Sequence, residues 1–225
     1  MEVNWIRVER GKTKNMLFLP GWATDRRIFV PLELEYNYIF PAQGFLLSGN
    51  EEIISVLREN GLRKISLLGF SLGGFLALDF VLNYPELVDK IFLVGIRKKY
   101  TQREISELRR NLNRNKKSCL YSFYNMCFHQ KEEWDWFRKE LYPNYVQKFS
   151  LDILLQGLDY LEGVEISSQG LENIQNLNFI HGEYDRIALL QEVLLIKEEL
   201  PQAEFWLIED SGHIPFLNPQ FKALL

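Results

Sequence analysis

Three side chains far apart in this chain have the types needed to make a nucleophile of a serine. Ser71 stands in Gly69-Phe70-Ser71-Leu72-Gly73, where an apolar run over 65–68 breaks at a serine between glycines and resumes as a helix-like pattern. In this Gly-x-Ser-x-Gly arrangement a buried strand delivers a hydroxyl to a sharp turn, and a helix starts at once behind it. Side chains at 69 and 73 would collide with the neighbouring strand and helix, which explains the glycines. Asp185 closes His181-Gly182-Glu183-Tyr184-Asp185 after the apolar run 177–180, and His213 lies in Asp210-Ser211-Gly212-His213 after the run 204–208. A serine hydroxyl is a poor nucleophile until a base takes its proton. An imidazole does so near neutral pH when a buried carboxylate fixes its tautomer and stabilises the imidazolium.

Each residue also has a plainer reading. Asp185 can cap a helix beginning near Ala188, and His213 can be a surface turn residue. The 28 residues from Asp185 to His213 accommodate one helix and one strand, which favours adjacent loops and the catalytic reading. His181 reads as a structural histidine at its strand end and His129 as a partly exposed one. Two backbone donors complete the chemistry. The Leu72 N–H sits at a helix start, aimed where an oxyanion would form. The Trp22 N–H comes from Pro20-Gly21-Trp22-Ala23, the turn after the first buried run. The Trp22 side chain is either a wall of the acyl pocket or core packing.

The elements that must position these groups follow a strand–helix–strand rhythm. Strands are predicted over 3–9, 16–19, 36–40, 64–69, 91–95, 177–180 and 204–208. Asp25 caps a short helical turn through Phe29, Ser48 or Asn50 caps a helix over 51–60 ended by Gly61, and the helix over 72–84 stops before Pro85. Helices over 188–199 and from Pro219 complete the pattern. The rhythm implies an α/β fold with a mostly parallel sheet and right-handed crossovers. Its loops beyond the strand ends gather the chemistry. From Arg97 to about Gln175 the rhythm fails. Helices are predicted over 101–114, 116–128, 131–141 and 145–161, too aromatic to stand alone, so they must pack on themselves and on the sheet. The expected division is a core of 1–96 and 176–225 with a helical cap insertion at 97–175.

A hydrophobic content of 47 % excludes a disordered chain, and 225 residues suffice for one large core. No apolar leader shows in MEVNWIRVERGKTKN and no run is long enough to cross a bilayer, so a cytoplasmic protein without stable membrane insertion is expected. Cys119 and Cys127 read as buried thiols. No metal cluster and no cofactor motif is evident. Charge is uneven: residues 97–117 carry nine Lys or Arg against Glu104 and Glu107, in a chain of net charge −4. A local positive field of that kind steers an anionic partner, or is a solvated helix face. No nucleic-acid motif accompanies it, and the acidic remainder argues against tracking a phosphate backbone.

These segments resemble the α/β-hydrolases over nearly the whole chain. LFLPGWATDRRIF is similar to their oxyanion segment, usually His-Gly-Trp-Gly, with Pro20 and Ala23 in place of the histidine and second glycine. GFSLGGFLALDFVLNYPELVDKIFLVG resembles the nucleophile region, FIHGEYDRI the acid loop, and IEDSGHIPFLNP the histidine loop. Within that superfamily the chain looks most like the pimeloyl-acyl-carrier-protein methyl ester esterases of biotin synthesis. The resemblance implies Ser71, Asp185 and His213 as the triad and Trp22 and Leu72 as oxyanion donors. It also implies an acidic acyl carrier protein with a phosphopantetheine-linked acyl chain as partner, met by region at Arg103, Arg109, Arg110 and Arg114. Other reactions of the fold use the same triad: thioester hydrolysis, carbon–carbon hydrolysis and the elimination of menaquinone-pathway members. A non-catalytic binding module of the same fold is the reading from a different class.

Overall fold

Short apolar runs bounded by turn formers become the strands of one sheet. The computed structural model describes residues 4–45, 47 and 49–225. Its strands are β1 (Trp5–Val8), β2 (Asn15–Leu19), β3 (Asn37–Pro41), β4 (Ile65–Phe70), β5 (Val88–Val94), β6 (Leu177–Gly182) and β7 (Glu204–Ile208). They lie in the order β1-β3-β2-β4-β5-β6-β7. β1 runs antiparallel to β3, and every other pairing is parallel. β4 is central, and all six of its residues are buried. A strand covered on both faces needs a continuous apolar run rather than an alternating one, as its sequence has.

Helices α1 (Asn50–Glu59), α2 (Leu72–Asn83), α8 (Leu190–Glu199) and α9 (Pro219–Lys222) connect or flank the strands. Between β5 and β6 lie α3 (Gln102–Arg114), α4 (Lys116–Cys127), α5 (Lys131–Glu140), α6 (Tyr142–Lys148) and α7 (Leu151–Gly163). Thr101 starts α3 with a capping box, its hydroxyl and Glu104 satisfying each other's backbone N–H groups. Asn115 starts α4 by accepting from the Ser118 N–H. The aromatic residues of α4, α5 and α6 pack on one another: Tyr124 meets Phe137 at 4.7 Å, and Phe137 meets Tyr145 at 5.8 Å between ring centroids.

Two helix expectations need correction. Of the two residues expected to cap α1, Ser48 lies outside the described residues, while Asn50 is the first helical residue and Gly49 the cap. The helix expected over 145–161 is two helices. Phe149 leaves the helical conformation and ends the first, and Ser150, also extended, caps the second by accepting from the Ile153 N–H through its hydroxyl. The apolar spacing runs through this break unchanged, which is why periodicity alone did not show it. Asp25 does cap the short turn Arg26–Phe29. Among the described residues no helix is long and apolar enough to cross a membrane.

Candidate active site

Ser71 occupies the turn between β4 and α2 with φ 51° and ψ −116°, a conformation a side chain rarely adopts. The turn is held because the Ser71 N–H donates to Val94 O at 2.8 Å and Ser71 O accepts from the Gly74 N–H at 2.8 Å. Both glycines are needed for close approach. A Cβ on Gly73 would lie 2.0 Å from Leu19 O of β2, and one on Gly69 would lie 2.6 Å from Gly73 O. Leu72 is the first residue of α2, so its N–H has no partner within the helix.

The structure joins Asp185 and His213, with His213 Nδ1 and Asp185 Oδ2 2.7 Å apart and both side chains buried. Burial alone would raise the Asp185 carboxyl. The interaction with His213 and further bonds outweigh it and hold the group below its usual 3.8. An ionised carboxylate there fixes the His213 proton on Nδ1. Asp185 Oδ1 also accepts from the Ile187 and Ala188 N–H groups at 2.8 Å and so shapes its own turn, but it does not cap the helix that follows: α8 starts at Leu190, with Leu189 in the cap position and no side-chain cap bond. The two loops touch backbone to backbone. A Cβ on Gly182 would lie 2.0 Å from Gly212 O, and the His213 N–H donates to Cys127 O at 2.8 Å.

The His213 ring lies against both flanks of the serine turn. Its centroid is 5.0 Å from that of Phe70, and a Cβ on Gly95 would be 3.0 Å from His213 Nδ1. Phe70 precedes Ser71, and Gly95 follows the Val94 that bonds Ser71. His213 Nε2 is buried with no hydrogen-bond partner among the described residues. A buried imidazole held at Nδ1 and open at Nε2 can accept a proton from a neighbouring hydroxyl. His181 is structural: its Nε2 lies 2.7 Å from Ala188 O, and burial first, then His213, push it below its usual 6.5.

The turn after β2 is gripped by the helices inserted between β5 and β6. Trp22 is buried, its indole N–H donating to Leu154 O at 2.9 Å and its ring standing edge-on to Phe123 at 4.8 Å. Ala23 sits at φ 58°, a backbone conformation that favours glycine, and its carbonyl accepts from the Tyr124 hydroxyl at 2.5 Å. Asp25 is bonded by Arg27 through two nitrogens, by Lys148 at 2.6 Å and by the Tyr145 hydroxyl at 3.0 Å. Burial opposes ionisation of Asp25, yet Arg27 and Lys148 hold the carboxyl below 3.8. The sequence identifies Asp25 as a helix cap; its role in tying α6 to this turn has no local signal, because Lys148 is 123 residues away.

A cavity of about 250 Å³ opens onto Ser71 and Trp22, with Ile105, Phe123 and Leu161 among its apolar walls. Arg97 and Tyr100 line it too, and sequence reading missed both as site residues. Arg97 was visible only as one charge of a basic run, yet its side chain is 5 % exposed. A groove of about 520 Å³ shares Leu108, Asn111, Phe123 and Met126 with this cavity and reaches Arg114. A larger hollow of about 710 Å³, lined by Phe75, Asp79 and Tyr160, includes none of the candidate residues.

The four surface arginines do not form one group. Arg109 is taken up by Asp159 at 2.6 Å and Glu162 at 2.9 Å of α7. Arg103, Arg110 and Arg114 are exposed, with no ion pair among the described residues. Elsewhere in the basic run, Lys98 pairs with Glu199 and Lys99 with Glu165.

Comparison with known proteins agrees with this fold. The family model described as alpha/beta hydrolase fold matches residues 50–219. A pimeloyl-[acyl-carrier protein] methyl ester esterase of Nitrosomonas europaea is 24 % identical over 233 residues, covering 92 % of each chain. Among solved structures, an esterase from Exiguobacterium antarcticum superposes with a TM-score of 0.83 at 22 % identity, covering 98 % of this chain and 92 % of the other. A bromoperoxidase from Bacillus anthracis also gives 0.83, at 16 % identity, covering 99 % and 93 %.

Proposed function

The chain belongs to the α/β-hydrolase family, and from that membership we propose that it is a serine carboxylester hydrolase acting through Ser71, His213 and Asp185. The observation that carries this reading is the 2.7 Å contact of His213 Nδ1 with the buried Asp185, beside the strained serine turn. His213 Nε2 takes the Ser71 proton as Oγ bonds the ester carbonyl carbon. The Trp22 and Leu72 N–H groups receive the oxyanion. Collapse breaks the bond to the alkoxy oxygen, which leaves as an alcohol with the proton from His213. Water then gives a proton to His213 and its oxygen to the carbonyl carbon, and Ser71 departs with that proton restored.

For the substrate, the proposal is the methyl ester of a dicarboxylate carried on an acyl carrier protein, as in the name of the Nitrosomonas relative. Methanol is small, so selection falls on the acyl side. A cavity of about 250 Å³ with apolar walls takes a short acyl chain, each buried methylene contributing about 0.8 kcal/mol. Residues 97–175 act in this proposal as the cap over the site, and Arg103, Arg110 and Arg114 meet the acidic carrier. Arg109 is committed to Asp159 and Glu162 and is a poor choice for that contact.

A fluorophosphonate probe tests the chemistry, since it bonds an activated serine oxygen with loss of fluoride. Labelling of the wild type that Ser71→Ala abolishes supports it. Absence of labelling in the folded wild type would leave a binding module instead. Turnover of a methyl ester set against the matching carrier thioester then separates ester from thioester hydrolysis. Charge reversal at Arg103, Arg110 and Arg114 together raises KM for carrier-linked substrate alone if the carrier docks there.

A further inference from the structure

The loops that carry Asp185 and His213 are rooted in the sheet but lean on a helix outside it. At their roots they hold each other: the Glu183 N–H donates to Ile208 O at 3.0 Å and the Tyr184 N–H to Ser211 O at 2.8 Å. Further out, both loops meet the end of α4. Asn125 and Cys127 lie in its last turn, where backbone carbonyls have no partner within the helix. Arg186, the residue after the triad acid, donates from one nitrogen, Nη2, to Asn125 O at 3.0 Å and to Phe128 O at 2.8 Å. A cation placed there also meets the negative end of the helix dipole, so the contact is favoured twice.

The carbonyl between those two serves the other loop, since Cys127 O accepts from the His213 N–H at 2.8 Å. Gln130 Nε2 donates to Asp210 O at 3.1 Å, and the His129 ring stacks on Tyr184 with centroids 4.1 Å apart. This seat leaves no space for a side chain at 212: a Cβ on Gly212 would lie 2.6 Å from Cys127 O and 2.9 Å from His129 N. Residues 125–130 thus bond the acid loop and the histidine loop at once. The 2.7 Å spacing of Asp185 and His213 spans those two loops, so it is set by whatever fixes one against the other.

We propose that the end of α4 braces the catalytic pair and that Arg186 is its positioning residue, fixing both loops to one rigid turn so that the His213 ring is held where it serves Ser71. The inference rests on the serine-hydrolase reading above. Arg186 makes and breaks no bond in the reaction; it acts through the acid loop and α4. It also borders the cavity at Ser71, so the test must separate positioning from contact with substrate.

The test compares wild type, Arg186→Met, Arg186→Lys and Lys99→Met with a short acyl p-nitrophenyl ester, a fluorophosphonate, and the downfield proton resonance of His213 Nδ1–H, assigned by its absence in His213→Ala. Arg186→Met should lower kcat about 10- to 100-fold with KM unchanged, the scale of a small misplacement of a catalytic group. Labelling should slow in proportion, and the resonance should move or vanish while the melting temperature is kept. Arg186→Lys, whose single ammonium can donate to both carbonyls, should keep most of the rate. Lys99→Met cuts the ion pair with Glu165 at the base of the inserted segment, away from the loops, and should behave as wild type. If Arg186→Met keeps kcat, labelling and the resonance, α4 does not set the pair and the proposal fails while the triad reading stands. A raised KM with kcat kept makes Arg186 a substrate contact and also overturns it. If Arg186→Met does not fold, Gln130→Ala removes the bond to Asp210 O on the other loop, and a wild-type kcat and resonance there overturn the brace. A folded wild type that neither labels nor turns over ester removes the serine-hydrolase reading instead, and the resonance still reports whether α4 sets the histidine.

Discussion

The Trp22 indole donates to the Leu154 carbonyl 132 residues further along the chain, across the contact between the turn after β2 and helix α7. That bond depends on Gly157, one turn on in α7, where a Cβ would lie 2.5 Å from Trp22 Cδ1 and 3.0 Å from Phe45. In an ordinary helix Gly→Ala gains up to about 1 kcal/mol. Here overpacking wins. Gly157→Ala is expected to lose about 1–3 kcal/mol and to displace the indole, with kcat/KM falling because the Trp22 N–H is on the same residue. Gly163→Ala, at the end of the same helix with nothing within 4 Å of its Cβ, is the control and should be neutral or slightly stabilising. Urea denaturation and ester turnover of the two variants distinguish packing from propensity.

Asp185→Asn isolates the imidazole tautomer from the loop's architecture. The amide oxygen can still accept from the Ile187 and Ala188 N–H groups that Oδ1 now serves. Its NH₂ then faces His213 Nδ1 and favours the tautomer with the proton on Nε2, which cannot take one from Ser71. Activity should fall on the order of 10⁴-fold near neutral pH. Circular dichroism and melting should show the fold retained. A loss of less than about tenfold in kcat would contradict the proposed role.

The strands and the three chemical loops were legible because each is local. A fully apolar run such as Leu17-Phe18-Leu19 fixes a buried strand, and the glycines around Ser71 answer to atoms of Leu19 and Gly73 that the motif implies. What was not legible depends on distant partners. Arg97 reads as a surface charge until Glu104, Ile187 and Glu192 are seen around it. Arg109 reads as a free docking cation until Asp159 and Glu162 close on it. The break before Ser150 was visible in residue type but hidden by apolar spacing that suits one helix or two.

Asp25 joins the turn after β2 to Tyr145 and Lys148 of α6, and its variants should show unequal costs. Asp25→Ala leaves Arg27, Lys148 and the Tyr145 hydroxyl without their shared acceptor, and because both cations keep some contact with water the cost should be about 2–3 kcal/mol, the scale of lost hydrogen bonds to a charged group. Lys148→Met leaves Arg27 on both carboxylate oxygens, and Lys148 is itself partly exposed. Its cost should be about 1 kcal/mol or less. Because Asp25 follows Ala23 and Trp22 by only a few residues, Asp25→Ala should also lower kcat. Equal urea midpoints for the two variants would show that the cluster does not couple α6 to the turn.

Stability should fall with acid in two separate steps, and their order follows from the signs of the shifts. His181 is pushed below 6.5 chiefly by burial. As pH drops through 6.5 the unfolded chain takes up a proton that the folded one refuses, and stability declines until the folded histidine titrates too. Asp25 and Asp185 are held below 3.8 against the effect of their burial. Their contribution is complete above 3.8 and disappears as pH falls through the lower folded values. Melting temperatures between pH 7 and 5 should therefore slope downward in wild type and slope less in His181→Gln, whose amide can still donate to Ala188 O. Below pH 4 both proteins should lose stability steeply, while Asp25→Asn loses less. A wild-type curve flat from pH 7 to 5 would mean that His181 titrates alike in both states.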